Sequence, residues 1–292
     1  MSSGYFSERE GVRRARVHEV IPENVWRGVQ SVIQARLEDA SFGAGFPDMC
    51  ADGMGPCGVN SRAFRTRLGA EHPNVSLKSD APVPDTLSIL DVLEFCHASV
   101  GKPEKGDWHS YQRHHHLDWD VPSGQLLFRE EINRIFSRNG IAFEIGDDGL
   151  AKRIAPPVLA EALKSAVFIT GDSDLDALLE AARRKFTSPD PAVRAEALEK
   201  LWDAFERLKT IEPGRDKRAQ ADALLTRAVP TPELRGRVEA EMVELTQIGN
   251  AFRIRHSETT KTPITRSLDI DYLFHRCFAM VTLLLAATGR MR

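Results

Sequence analysis

Ile141-Ala142-Phe143-Glu144-Ile145-Gly146-Asp147-Asp148-Gly149-Leu150-Ala151-Lys152-Arg153-Ile154 is the stretch on which the fold turns. Two short β-prone runs, 141–145 and 150–154, flank a Gly-Asp-Asp-Gly segment whose residues tolerate the dihedrals of a tight turn, so the stretch predicts an antiparallel hairpin. Pro156 and Pro157 end it, because proline lacks the N–H that a continuing strand needs. No other part of the chain gives so clear a strand signal. The expectation is therefore a mainly α protein with one small β-hairpin at about 141–154.

Outward from the hairpin, the apolar spacing is helical on both sides. Upstream, 22–40 places Val25, Val29, Val32, Ile33 and Leu37 on one face, and 61–71, 84–100 and 123–139 also read as helices. Downstream, helices are expected over 158–165, 174–186, 192–209, 217–228, 233 to about 255, and 269–288. Ser188-Pro189-Asp190-Pro191, Glu212-Pro213-Gly214 and Pro230-Thr231-Pro232 stop them, each joining a terminator to a cap or a first-turn proline. A change from Gly, His and aromatic residues to Ala, Glu, Leu and Arg near residue 165 divides the chain into an N-terminal α+β domain, 1–165, and an antiparallel helical bundle, 166–292. Two stretches stand apart as loops. Gly and Pro recur every few residues over 41–58, and 101–120 is aromatic, histidine-rich and irregular.

Of the 292 residues 42% are hydrophobic and 28% charged, which excludes collagenous, disordered and polytopic membrane chains. Lys and Arg total 39 against 42 acids, so the net charge of -3 offers no global field for nucleic acid. Four cysteines and a charged N-terminus without an apolar leader point to the cytoplasm rather than to a disulfide-bonded secreted protein. The longest apolar run, 277–288, is shorter than the roughly 20 residues a membrane span takes, and reads as a buried helix.

Gly53-Met54-Gly55-Pro56-Cys57-Gly58 has the spacing of a dinucleotide fingerprint but lacks the strand-to-helix context that gives those glycines their role. Asp172, Asp174 and Asp176 alternate like a calcium loop, yet Ala177 and Arg183 stand where that loop needs glycine and glutamate, and a helix start explains the acids. Cys50, Cys57, Cys96, His97, His109 and His114-His115-His116 are all metal-ligand types. Their spacing shows no close cysteine pair, so buried thiols and surface imidazoles are the expectation, with neither metal nor cofactor. Trp108, Tyr111 and Arg113 interleave with these histidines in a composition suited to stacking on bases and contacting phosphate. Their plainer reading is aromatic packing of a loop.

The most concentrated polar stretch is Ile248-Gly249-Asn250-Ala251-Phe252-Arg253-Ile254-Arg255-His256-Ser257-Glu258. On a continuing helix Asn250, Arg253 and His256 are neighbours at i,i+3. Two guanidinium charges, an amide and an imidazole able to exchange a proton near neutrality form the kind of set phosphodiester cleavage requires. His256 is then the candidate acid or base, Arg253 and Arg255 the phosphate ligands, and Asn250 the orienting group. The alternatives are cationic residues complementing a helix C-terminus, or a structural network beneath the last helix.

The segments 197–210 (Ala-Leu-Glu-Lys-Leu-Trp-Asp-Ala-Phe-Glu-Arg-Leu-Lys-Thr), 252–258 and 271–276 (Asp-Tyr-Leu-Phe-His-Arg) resemble the C-terminal part of AbiJ-type abortive-infection proteins. Phe6-Ser7-Glu8-Arg9-Glu10-Gly11 and Arg129-Glu130-Glu131-Ile132-Asn133 are similar to the N-terminal domains fused in that bacterial group. The resemblance implies a HEPN-like bundle over 166–292, a class rich in metal-independent ribonucleases that work as dimers with a composite Arg/His site. Where that class carries its arginine ahead of the histidine, this chain has Gly249, Asn250 and Ala251, leaving Arg253 or Arg255 to supply charge. It further implies RNA as partner, a homodimer, and a phage-derived trigger or cognate partner. A non-catalytic module that binds nucleic acid or a partner is the second reading.

Overall fold

The computed structural model describes residue 6 and residues 15–155, 157–254 and 260–292. They form two compact units, Met1–Ile154 and Ala155–Arg292. The division falls at the end of the hairpin, ahead of residue 165, because Leu159 and Leu163 of the intervening helix are buried in the core of the second unit.

In the first unit, α1 (Glu23–Glu38) turns Val25, Trp26, Val29, Val32, Ile33 and Leu37 inward, the i, i+3, i+4, i+7 face that its apolar spacing predicts. A short 3-10 turn at Ser41–Ala44 leads into β1 (Pro47–Met49), which pairs antiparallel with β2 (Pro56–Val59). Asn60 then caps α2 (Ser61–Glu71), its side chain accepting from the Ala63 N–H. Asp85 does the same for α3 (Thr86–Ser99), through Ser88 N. β3 (Lys102–His109) and β4 (His114–Asp120) form an antiparallel hairpin. α4 (Val121–Arg138) follows at once, capped by Asp120 with proline in its first turn. The expected hairpin is present as β5 (Phe143–Ile145) and β6 (Ala151–Arg153), with Gly149 at φ +79° supplying the turn. Trp26, Phe42, Phe64, Phe128 and Phe136 are fully buried between these elements, and the Phe42 and Phe64 rings stack at 4.6 Å.

Two expectations are corrected here. The stretch 41–58 is not free of regular structure: Gly53, at φ +74°, and Gly55 lie in the turn between β1 and β2, and its prolines sit at strand starts, where no ladder N–H is lost. The stretch 101–120 is likewise a hairpin. An extra residue in β3 between Lys105 and Trp108 breaks the strict alternation that would have marked it in the sequence.

The second unit is mainly helical, with α5 (Pro157–Ser165), α6 (Ser173–Phe186), α7 (Pro191–Leu208), α8 (Lys217–Ala228), α9 (Pro232–Ala251) and α10 (Ser267–Ala287) around one core. Asp172 caps α6 by accepting from Asp174 N and Leu175 N, and its carboxylate also meets Arg207 at 2.7 Å, so the acid triplet starts a helix as expected. By length and composition α10 passes for a membrane-crossing helix. Phe274, Cys277, Val281, Leu284 and Leu285 are nonetheless fully buried in the core, the Phe274 ring stacked on Phe186 at 3.8 Å. Its apolar run is that of a core helix. The segment after α10 returns to the link between α5 and α6: Val167 N donates to Arg292 O at 3.0 Å, Arg292 N to Val167 O at 3.0 Å, and Ile169 N to Arg290 O at 2.9 Å.

α9 ends at Ala251, short of the expected 255, and Phe252–Arg253 continue as β7, parallel to β8 (Thr262–Pro263). Phe252 and Ile254 are β-prone, and pairing with Thr262 satisfies backbone groups that a longer helix would have used internally.

Candidate functional site

The polar stretch at the end of α9 is only partly within the described residues. Asn250 is exposed on the last turn of the helix and Arg253 is half-buried in β7. The helical i,i+3 pairing of Asn250 with Arg253 therefore does not form, because the helix stops between them. Arg255 and His256 lie outside the described residues. The register Phe252↔Thr262 and Arg253↔Pro263 holds the chain on either side of that segment at one neck.

In the first unit the two loop-like stretches come together. β3 and β4 pair His109 with His114 and Trp108 with His115 near the hairpin tip. Side chains directly opposite one another share a face, and so do residues two apart in one strand, which puts His109, His114 and His116 on one face and Trp108 with His115 on the other. The rings bear this out: His109, His114 and His116 lie with centroids 5.2 to 5.7 Å apart, while Trp108 sets its ring edgewise to His115 at 4.9 Å.

The β1–β2 turn supplies the remainder. Cys50 N donates to Gly55 O at 2.8 Å and Gly53 N to Cys50 O at 2.8 Å, closing a tight loop that aims the Cys50 thiol at the histidines. Cys50 Sγ lies 3.4 Å from His109 Nδ1. The other nitrogen of that ring, Nε2, meets Asp52 Oδ2 at 2.8 Å. Asp52 also accepts from Met54 N at 3.0 Å, and this backbone hydrogen bond, ahead of the other influences on it, holds its carboxyl below the usual range. Gly55 packs closely on the cluster: a Cβ there would stand 3.0 Å from the His116 ring and press it aside by a few tenths of an ångström. One donor atom from each of Cys50, His109, His114 and His116 lies within 4.8 Å of all the others. His114 Nε2 and His116 Nε2 are buried with no hydrogen-bond partner.

Cys57, Cys96 and His97 are not in this set. Cys57 is half-buried on β2, its thiol pushed up first by burial and then by the neighbouring Cys50 and Asp48. Cys96 is fully buried in the first core, which raises its thiol far above the ordinary value. With 101–120 expected to be irregular, these histidines count as surface imidazoles; the hairpin is what gathers three of them on one face. The available signal was His114-x-His116, one strand face, opposite His109 across a short turn.

At the tip of the same hairpin Trp108 is 55% and Tyr111 87% exposed. Arg113, also exposed, holds a left-handed φ of +55°, a conformation costing a non-glycine residue about 1–2 kcal/mol. Trp119 instead packs inward: its indole N–H donates to Ala40 O at 2.8 Å and its ring fills the space a Cβ at Gly43 would need. The G-x-G-x-x-G stretch forms the β1–β2 turn and most of β2, with no helix opening on its last glycine, and so builds no phosphate cradle.

These features define a two-unit, mainly helical protein whose first unit carries a gathered Cys-His donor set beneath an exposed aromatic tip. The family described as AbiJ N-terminal domain 4 matches residues 4–168, more than half of the chain, and the protein belongs to this AbiJ-type abortive-infection family. No curated protein matches the chain, and no solved structure does.

Proposed function

We propose that this protein is an abortive-infection effector whose second unit is a HEPN-like, metal-independent ribonuclease acting in the cytoplasm as a homodimer. The family carries the defence role. The observation that supports cleavage is the neck at the end of α9, where exposed Asn250 and half-buried Arg253 stand at the base of the segment containing Arg255 and His256. In this reading His256 exchanges a proton with the ribose hydroxyl or the leaving oxygen, Arg253 and Arg255 neutralise the scissile phosphate, and Asn250 orients them. A phage-derived signal or a cognate partner releases the activity.

A second reading, a non-catalytic module that binds RNA or a partner, is favoured by the exposed Trp108, Tyr111 and Arg113 at the hairpin tip. Growth and bulk RNA integrity in cells expressing the wild-type chain or His256→Ala, with and without phage, separate the two. RNA loss and growth arrest only with His256 present support the ribonuclease. Intact RNA in every culture, with phage protection kept by both proteins, overturns it and leaves the binding module.

A further inference from the structure

We propose that Cys50, His109, His114 and His116 form a structural zinc site that fastens the β1–β2 turn to the β3–β4 hairpin. The argument rests on donor chemistry, on geometry and on the surroundings. One thiol and three imidazoles are the borderline-soft set that zinc prefers, and four protein donors leave no open coordination position, which marks a structural rather than a catalytic site. Zinc holds thiolate sulfur at about 2.3 Å and imidazole nitrogen at about 2.0–2.1 Å in a tetrahedron. Those lengths place a sulfur and a nitrogen on one ion roughly 3.5 Å apart, and Cys50 Sγ and His109 Nδ1 are 3.4 Å apart. All four donors fall within 4.8 Å of one another, so small ring rotations close the remainder.

The surroundings point the same way. Buried polar atoms are nearly always paired, and leaving one unpaired costs about 1–3 kcal/mol. His114 Nε2 and His116 Nε2 are both buried and unpartnered in the same small space, facing a thiol. A cation gives all of these lone pairs one acceptor. His109 shows the further arrangement typical of metal-bound imidazole: with Nδ1 toward the thiol, its Nε2 is held by the Asp52 carboxylate at 2.8 Å. That carboxylate is itself fixed by Met54 N. Asp52 is thus a positioning residue that selects the ring orientation, and Gly55 leaves room for the His116 ring.

The consequence for the fold is local. β1–β2 and β3–β4 are separate two-stranded sheets, and short hairpins are marginal on their own. A metal joining the turn of one to the tip of the other makes them a single platform beneath Trp108, Tyr111 and Arg113.

The test is metal analysis of the purified full-length chain, then chelator treatment and titration with zinc and with cobalt alone. The expected result is one equivalent of zinc per chain, and a cobalt form with the visible bands of tetrahedral coordination and a thiolate-to-cobalt charge-transfer band. His114→Ala with His116→Ala loses the equivalent, and Asp52→Asn weakens binding by about 10–100-fold while keeping the stoichiometry. His115→Ala, whose ring lies on the other strand face, binds as wild type. The cobalt spectrum of the unmutated chain keeps the test decisive if a ligand variant fails to fold. A chelator-treated, folded wild-type chain that takes up neither metal overturns the proposal, as does zinc retained by the double histidine variant or a cobalt form without thiolate charge transfer.

Discussion

Gly124 lies buried in α4 where that helix crosses the start of β3, and replacing it by alanine sets two opposing effects against each other. Alanine is favoured over glycine inside a helix by about 1 kcal/mol. Against this, a Cβ at 124 would stand 2.3 Å from Gly101 C, 2.4 Å from Gly101 Cα and 2.4 Å from Lys102 N. Carbon atoms rest about 3.5–4.0 Å apart, so an ångström or more must be found. The obstructing atoms are backbone, with no rotamer to turn away. Gly101 is itself held by its N–H to Ser41 O at 2.9 Å and boxed in by Trp119 and Ala44. Overpacking of this kind costs about 1–3 kcal/mol, and the absence of an escape puts it near the top. The net loss for Gly124→Ala is about 2 kcal/mol, or roughly 4–8 °C in the melting temperature of a unit this size. Gly236→Ala is the matched control: Gly236 is exposed within α9 with nothing within 4 Å of a new Cβ, so it should gain up to about 1 kcal/mol. Thermal and urea unfolding of both variants beside wild type measure the pair. A Gly124→Ala protein that melts at or above the wild-type temperature would refute the close contact.

Phe274→Ala removes a fully buried ring stacked on Phe186 and should cost the second unit about 3–5 kcal/mol, read from its urea midpoint; an unchanged midpoint would remove this pair from the core. His97 is held below its ordinary value of 6.5 first by burial and then by Arg129, against the opposing pull of Asp148. The unfolded chain thus binds the proton more readily. Stability of the first unit should fall as pH drops through 6.5 toward the folded value and level off below it, and a melting series over that window should flatten in His97→Leu. On the reading that the hairpin tip binds RNA, Trp108→Ala and Tyr111→Ala each weaken single-stranded RNA binding by about 1–3 kcal/mol without moving the melting temperature, and unchanged affinity in a filter-binding assay would exclude stacking there.

The helices were legible because their apolar spacing acts locally, while their exact starts are set by Asn60, Asp85, Asp120 and Asp172, each one residue ahead of the helix it caps, so that two of them begin at Thr86 and Val121 rather than at 84 and 123. The 143–153 hairpin was legible through its Gly-Asp-Asp-Gly turn. β3 and β4 were not, since charged residues and histidines occupy both faces and a bulge shifts the alternation partway along. The donor cluster was hidden for a related reason. Cys50 lies far in sequence from His109, and only the folding of two hairpins against each other brings them to 3.4 Å. The end of α9 was overrun because Arg253 suits a helix equally well, and what stops the helix is the pairing of β7 with the later β8.

The hydrogen bonds between 167–169 and 290–292 have a mechanical consequence. The extended residues that join α5 to α6 and the last residues of the unit are bound side by side, so a pull applied between them loads those bonds one after another, as in a zip, before α6 or α10 is stretched. Pulled between residue 167 and residue 292, the unit should release these bonds at low force in a short first step and only then load α6 and α10.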